Sequence, residues 1–250
     1  MTRLRTAALS AFGFAAFLGI WELVPWLGLV PPSILPPPSA LPEAFWRELT
    51  SGIWFSSLLT SLRNYVAGLA IGCLLGVGLG ILTGLWPAME ATLAWVVRAL
   101  RPIPGLAWVP FAILWFGIDP AAAIFIISTG VFWISYFAAL GAVRSVDREL
   151  LELADAFGFR RADRKLVKVI LPAAAPGILT GVRTALGQAW MAVVAAEIFG
   201  VPGLGQRMMQ ASNLLASDIV VVYMATMAAA YGLIDAGFVA LQSWLLRWKR

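Results

Sequence analysis

Arg98 and Arg101 stand three residues apart in Trp95-Val96-Val97-Arg98-Ala99-Leu100-Arg101-Pro102-Ile103-Pro104. Proline removes a backbone donor and crowds the preceding turn, so Pro102 and Pro104 must break or kink any helix here. Two permanent cations beside freed peptide groups can attract an anion. The same arginines, with their long apolar stems, can also extend to the nearest polar surface. Both readings stand on the residues alone. A second group of polar residues is Gln188, Trp190 and Glu197, with Arg183 ahead of them in the same apolar stretch and Glu22 and Asp235 in two others. They offer either a buried acid-base pair or contacts to a passing solute.

No catalytic constellation accompanies them. Histidine is absent, Cys73 is the sole cysteine, and the only lysines are Lys165, Lys168 and Lys249. The commonest transition-metal ligand and general base is therefore lacking, and the residues for a metal cluster are not present. There is no glycine-rich loop ending in Lys-Ser/Thr to cradle phosphates. Any nucleotide energy must be supplied by another subunit. Cys73 lies in an apolar stretch and reads as a small packed hydrophobe.

The elements that must position these groups follow from composition. The 250 residues are 61% hydrophobic and 12% charged, with a mean hydropathy of +0.86. That leaves too little polar surface to coat a soluble globule of this size. Apolar runs long enough to cross a hydrocarbon layer of about 30 Å occupy 7–28, 57–83, 91–116, 120–142, 173–199 and 219–246. They are continuous and not alternating, which disfavours a β-barrel. The expectation is an all-α integral membrane protein with six transmembrane helices and a single domain over 1–250. Arg3 and Arg5 ahead of the first run resemble a secretory signal, but no small-residue cleavage site follows, so the run reads as a retained helix.

Short cytoplasmic loops collect Lys and Arg. With the N-terminus inside, that side gathers Arg3, Arg5, Arg144, Arg148, Arg160, Arg161, Arg164, Lys165, Lys168, Arg247, Lys249 and Arg250, against Arg47, Arg207 and Arg63 opposite. Both termini are expected in the cytoplasm. This asymmetry accounts for the basic pI, and nucleic-acid binding is not needed to explain it. Pro31 to Pro38 reads as an extended crossing of the outer face, followed by a short amphipathic segment over 41–49. Val201-Pro202-Gly203-Leu204-Gly205 breaks the chain, and the stretch to Ser217 reads as a re-entrant segment or outer lid. Gly68, Gly72, Gly76, Gly80 and Gly84 recur every four residues, the spacing that lets helices approach closely in lipid. Close packing is preferred to a glycine-lined path.

The residues 143–172 hold much of the charge. Asp147 is placed to cap a short helix in which Leu150, Leu153, Ala154 and Phe157 share a face. Gly158 ends it, a second helix follows, and Leu171-Pro172 opens the next element. Five acidic residues (Asp147, Glu149, Glu152, Asp155, Asp163) argue against a helix lying on anionic lipid. A knob that docks on a cytoplasmic partner fits the pattern better.

Glu152-Leu153-Ala154, Gly158 six residues after the Glu, and Leu171-Pro172 resemble the EAA loop of binding-protein-dependent ABC-importer permeases. Pro32-Ser33-Ile34-Leu35-Pro36, Leu100-Arg101-Pro102-Ile103-Pro104, Ala107-Trp108-Val109-Pro110, Leu114-Trp115-Phe116-Gly117 and Ala195-Ala196-Glu197 resemble the nitrate/sulfonate/taurine branch. Leu153 stands where the triplet has its middle Ala, and the Leu-Pro pair comes about one residue late. The resemblance implies a type I ABC importer permease fold with its core over about 57–250, in a bacterial inner membrane. It implies a homodimer (or a pairing with a homologue), two cytoplasmic ABC ATPases carrying ATP and Mg, and an extracytoplasmic solute-binding protein. No cofactor would be bound by this chain itself. ATPase coupling would fall to Leu150, Glu152, Leu153, Ala154, Phe157, Gly158, Leu171 and Pro172. Arg98, Arg101, Gln188, Trp190 and Glu197 would line the path of a small anion. The competing classes are an ion-coupled secondary transporter or channel using Glu22, Glu197 or Asp235, and a membrane scaffold. The first usually carries inverted repeats, which are not visible here; the second leaves the broken helix and its arginines without a purpose.

Overall fold

A computed structural model describes residues 3–159 and 161–249. Arg160 and Arg250, counted in the charge asymmetry, lie outside them. The described chain is helical throughout: α1 (Arg3–Trp26), α2 (Leu41–Thr50), α3 (Ile53–Leu85), α4 (Pro87–Leu100), α5 (Val109–Phe116), α6 (Pro120–Arg144), α7 (Arg148–Ala156), α8 (Ala162–Lys165), α9 (Leu171–Ile198), α10 (Leu204–Asn213) and α11 (Ser217–Leu245). Five helices are long and apolar enough to span a membrane unaided. The expected third span is instead a pair, Pro87–Leu100 and Gly105–Phe116, bent by 81°. The break falls at Arg101 to Pro104, where the two prolines withdraw backbone donors.

The core is a three-helix layer with α6 in the middle. On one side the α3 glycines face α6 turn by turn. A methyl group added at Gly72 would lie 2.7 Å from the Ser128 carbonyl and 2.8 Å from Val131, and at Gly76 2.5 Å from the Phe132 carbonyl. Gly68 is blocked by Ile127 and Gly84 by Val143 in the same way. With no side chain between them the backbones close up, and Ser128 Oγ reaches across to the Gly68 carbonyl at 3.1 Å. On the other side α9 approaches α6 through Gly177 and Gly181, opposite Ala142 and Ala138. Gly76→Leu is expected to overfill the first seam, costing about 1–3 kcal/mol, and to depress the melting temperature and yield in detergent. Gly78→Leu, where no atom lies within 4 Å of the added carbon, should change neither.

Three local expectations are corrected. Pro31 to Leu35 is not extended: Ile34 and Leu35 both donate to the Pro31 carbonyl, and only Pro37 (φ −66°, ψ 144°) keeps polyproline geometry before a short 3-10 turn. Glu22 holds this crossing, accepting from Ser39 Oγ at 2.7 Å and Ser39 N at 3.1 Å. Second, Leu171-Pro172 opens α9 but marks no break, because helix runs on continuously from Asp163 to Ile198. A π-turn over Leu166–Ile170, in which Leu171 N donates to Leu166 O five residues back, widens the ladder just before Pro172. It accommodates a residue that lacks an N–H and whose ring would crowd the preceding turn. At 1.5 Å per residue this rod is roughly 54 Å long, well beyond a hydrocarbon layer. Third, Ala154 is buried and belongs to the seam under α7, not to its exposed face.

Candidate functional site

The charged loop is built on α7. Leu151 packs onto a small cluster of Ala142 and Val143 from the end of α6 with Ile170 and Ala174 from the foot of the α9 rod, and Ala154, one turn on, is buried. Alanine at 154 lets α7 sit close. The adjoining face carries Leu150, Leu153 and Phe157, which are 39%, 54% and 73% exposed. Three large apolar side chains are thus presented outward from a helix otherwise lined with acids. Asp147 occupies the N-cap position without making a side-chain capping bond. Glu152 forms an exposed pair with Arg148 at 3.3 Å, the kind of contact that contributes little.

The end of α7 is closed by Gly158 at φ +87°. Gly158 N donates to the Asp155 carbonyl at 3.1 Å, and Phe159 N to the Ala154 carbonyl at 2.9 Å. This is a Schellman cap, and it requires the left-handed conformation at that position. Lys165 Nζ then reaches back to Asp155 at 2.7 Å. The corner therefore fastens α7 to the foot of the α8–α9 rod.

The residues expected along a solute path are divided by the fold. Arg98 and Arg101 line one cavity of about 650 Å³ between α4 and α6. Gln188 is half-buried near Gly130. Trp190 lies in the core, edge-on to Tyr65 with ring centroids 5.4 Å apart. Glu197 is fully buried. Its partners are Ser61 Oγ, donating at 2.6 Å, and Gly205 N, donating at 2.9 Å, while Leu204 N donates to Ser61 Oγ at 2.9 Å. Trp190 and Glu197 are thus core groups. The residue before α10 is Gly203, which has no side chain to cap the helix. Glu197 and Ser61 do so from two other helices, placing a carboxyl where free N–H groups gather. Glycine at 205 is required by this approach, since an added carbon would lie 2.8 Å from Glu197 Cβ.

Sequence reasoning missed a second tie on α10. Arg207 donates to both Glu48 oxygens (Nη2 to Oε1 2.6 Å, Nε to Oε2 3.1 Å), and Tyr223 donates to Oε2 at 2.8 Å. The residues lie far apart in sequence, and only the amphipathic pattern of α2, with Glu48 on its buried side, hinted at a partner. Arg47 to Asp218, at 2.6 Å, adds a pair on the same face. Arg183 and Asp235 join α9 to α11 through two 2.8 Å bonds, the acid-base pair that the sequence left open.

The Arg207 guanidinium holds the Glu48 carboxyl below its ordinary range against the opposing effect of burial, with help from the Tyr223 hydroxyl. A depressed folded-state pKa contributes stability that is complete above the unfolded value, about 4.3, and is lost as pH falls through the folded one. Thermal stability is expected to hold from pH 7 to about 5 and then fall in acid. In Glu48→Gln this part of the acid dependence should vanish, with a lower plateau at neutral pH, as melting scans across pH would record.

Residues 72–250 match the family described as "Binding-protein-dependent transport system inner membrane component". The chain belongs to this family. The taurine transport system permease protein TauC of Escherichia coli (strain K12) is 34% identical over 98% of this chain and 90% of its own length. The bicarbonate transport system permease protein CmpB of Synechococcus elongatus is 34% identical over 94% and 88%. An inward-facing structure of the MetNI methionine ABC transporter superposes with TM-score 0.67 at 20% identity, covering 76% of this chain and 94% of that one. The fold is that of an ABC importer permease, an integral inner-membrane component with several apolar spans.

Proposed function

We propose that this permease is the membrane-spanning half of an ATP-driven importer of small oxyanions, with sulfonates as the leading class. Two copies, or one with a homologue, enclose the path. Two cytoplasmic ATPases bind ATP and Mg, and an extracytoplasmic binding protein delivers the solute. Both termini and α7 lie on the cytoplasmic side. The observation that carries the reading is α7: an exposed apolar face of Leu150, Leu153 and Phe157, fixed by the Gly158 corner to the rod that ends at α9. ATP-driven closure of the motor pair gives α7 different contact energies in two arrangements of the bundle, and that difference is what can shift it between inward and outward access. Leu171 and Pro172 act within the rod and hold the π-turn. The oxyanion class is supported by the taurine and bicarbonate names of the relatives and by Arg98 and Arg101, which have no carboxylate partner among the described residues.

The test is reconstitution with a candidate ATPase and binding protein. Solute uptake should require ATP and stop without it. Uptake that continues without ATP and follows an imposed ion gradient would replace this reading with a secondary transporter.

A further inference from the structure

We propose that the cavity between α4 and α6 is an oxyanion site built from three guanidiniums, Arg98, Arg101 and Arg144, in which Glu90 competes with the ligand for the third. The proposal deepens the importer reading and rests on it for the ligand's chemistry. Among the described residues neither Arg98 nor Arg101 has a carboxylate partner. Each lies over an aromatic ring instead, Arg98 5.2 Å from the Trp95 centroid and Arg101 4.5 Å from that of Phe137. A ring face steadies a cation without discharging it. Arg144, the last residue of α6, also lines this cavity and is paired with Glu90 from the first turn of α4.

Three guanidiniums against one carboxylate leave a surplus of two positive charges around about 650 Å³. That volume suits a small organic molecule, and the guanidinium fork matches the geometry of sulfonate, phosphate or carboxylate oxygens. The sole carboxylate is already engaged, so the site offers nothing to an ammonium group, and an anion without one fits best. The oxyanion can come from the transported solute or from the phosphate of an anionic lipid.

The experiment is equilibrium binding of radiolabelled ethanesulfonate to the full-length permease in phosphatidylcholine nanodiscs. Saturable binding is expected, weakened about tenfold or more by Arg98→Gln or Arg101→Gln. Glu90→Gln, which frees Arg144, should tighten it about two- to fivefold, a gain that misfolding cannot produce. Arg63→Gln, removing an exposed cation on α3, should leave it unchanged. If ethanesulfonate does not bind but phosphatidylglycerol is retained by the wild type, held more strongly by Glu90→Gln and lost in Arg98→Gln, the oxyanion is a lipid phosphate and the site stands. Retention of neither, or no tightening of the bound species in Glu90→Gln, overturns it. ATP-dependent uptake, measured separately, keeps the importer reading distinct: uptake without a binding site removes only this proposal.

Discussion

Gly158→Pro is expected to abolish solute uptake, by a factor of about a hundred or more, while the purified permease stays folded. The position has φ +87°, and proline is locked near −65°, so the Schellman cap cannot form and the local cost is about 3 kcal/mol or more. Because an added side chain would meet no atom within 4 Å, the damage is confined to the direction in which the chain leaves α7. The α3–α6–α9 layer does not depend on it. Gly158→Ala, which keeps the N–H and meets only the left-handed penalty of about 1–2 kcal/mol, should retain part of the uptake. ATP hydrolysis and uptake measured in the same proteoliposomes separate two routes to this loss. Hydrolysis without uptake indicates a docked but uncoupled motor; loss of both indicates that the motor no longer assembles. Uptake at the wild-type rate would mean that the corner carries no load.

Glu197→Ala is expected to show the largest effect on stability, about 3 kcal/mol or more. It removes a fully buried side chain, leaves Gly205 N and Ser61 Oγ without their acceptor, and uncaps α10. Limited proteolysis should then cut near α10, and the melting temperature should fall by several degrees. Glu197→Gln, which keeps one acceptor and places a donor beside Ser61, should recover much of the loss. A residue of the solute path would behave in the opposite way, with altered uptake kinetics and an unchanged melting temperature.

The contrast between Glu197 and Gly76 shows what could be read along the chain. The four-residue glycine repeat needs no partner to be recognised, because close approach in lipid favours small residues at that spacing whatever lies opposite. The α7 helix and its glycine corner are equally local, since periodicity and a left-handed glycine are written in consecutive residues. Gly177 and Gly181 carried the same spacing and could have been found by the same rule. Glu197 was different. An acid in an apolar stretch implies a polar partner but does not say which, and its partners, Ser61 and the start of α10, depend on the tertiary arrangement. The same holds for Glu48 and Arg207, joined across 159 positions. The π-turn before Pro172 was hidden for another reason. A proline signals a helix break, and the compensating wide turn leaves no composition mark.

The claim on which the account depends is that force enters the bundle through the exposed face of α7. A photoreactive cross-linker attached at Phe157→Cys, in a variant with Cys73→Ser and reconstituted with the ATPase and binding protein, tests it directly. A covalent adduct with the ATPase subunit is expected, formed in the resting complex and changed in yield by ATP. Adducts with lipid or with the extracytoplasmic binding protein, and none with the ATPase, would contradict it.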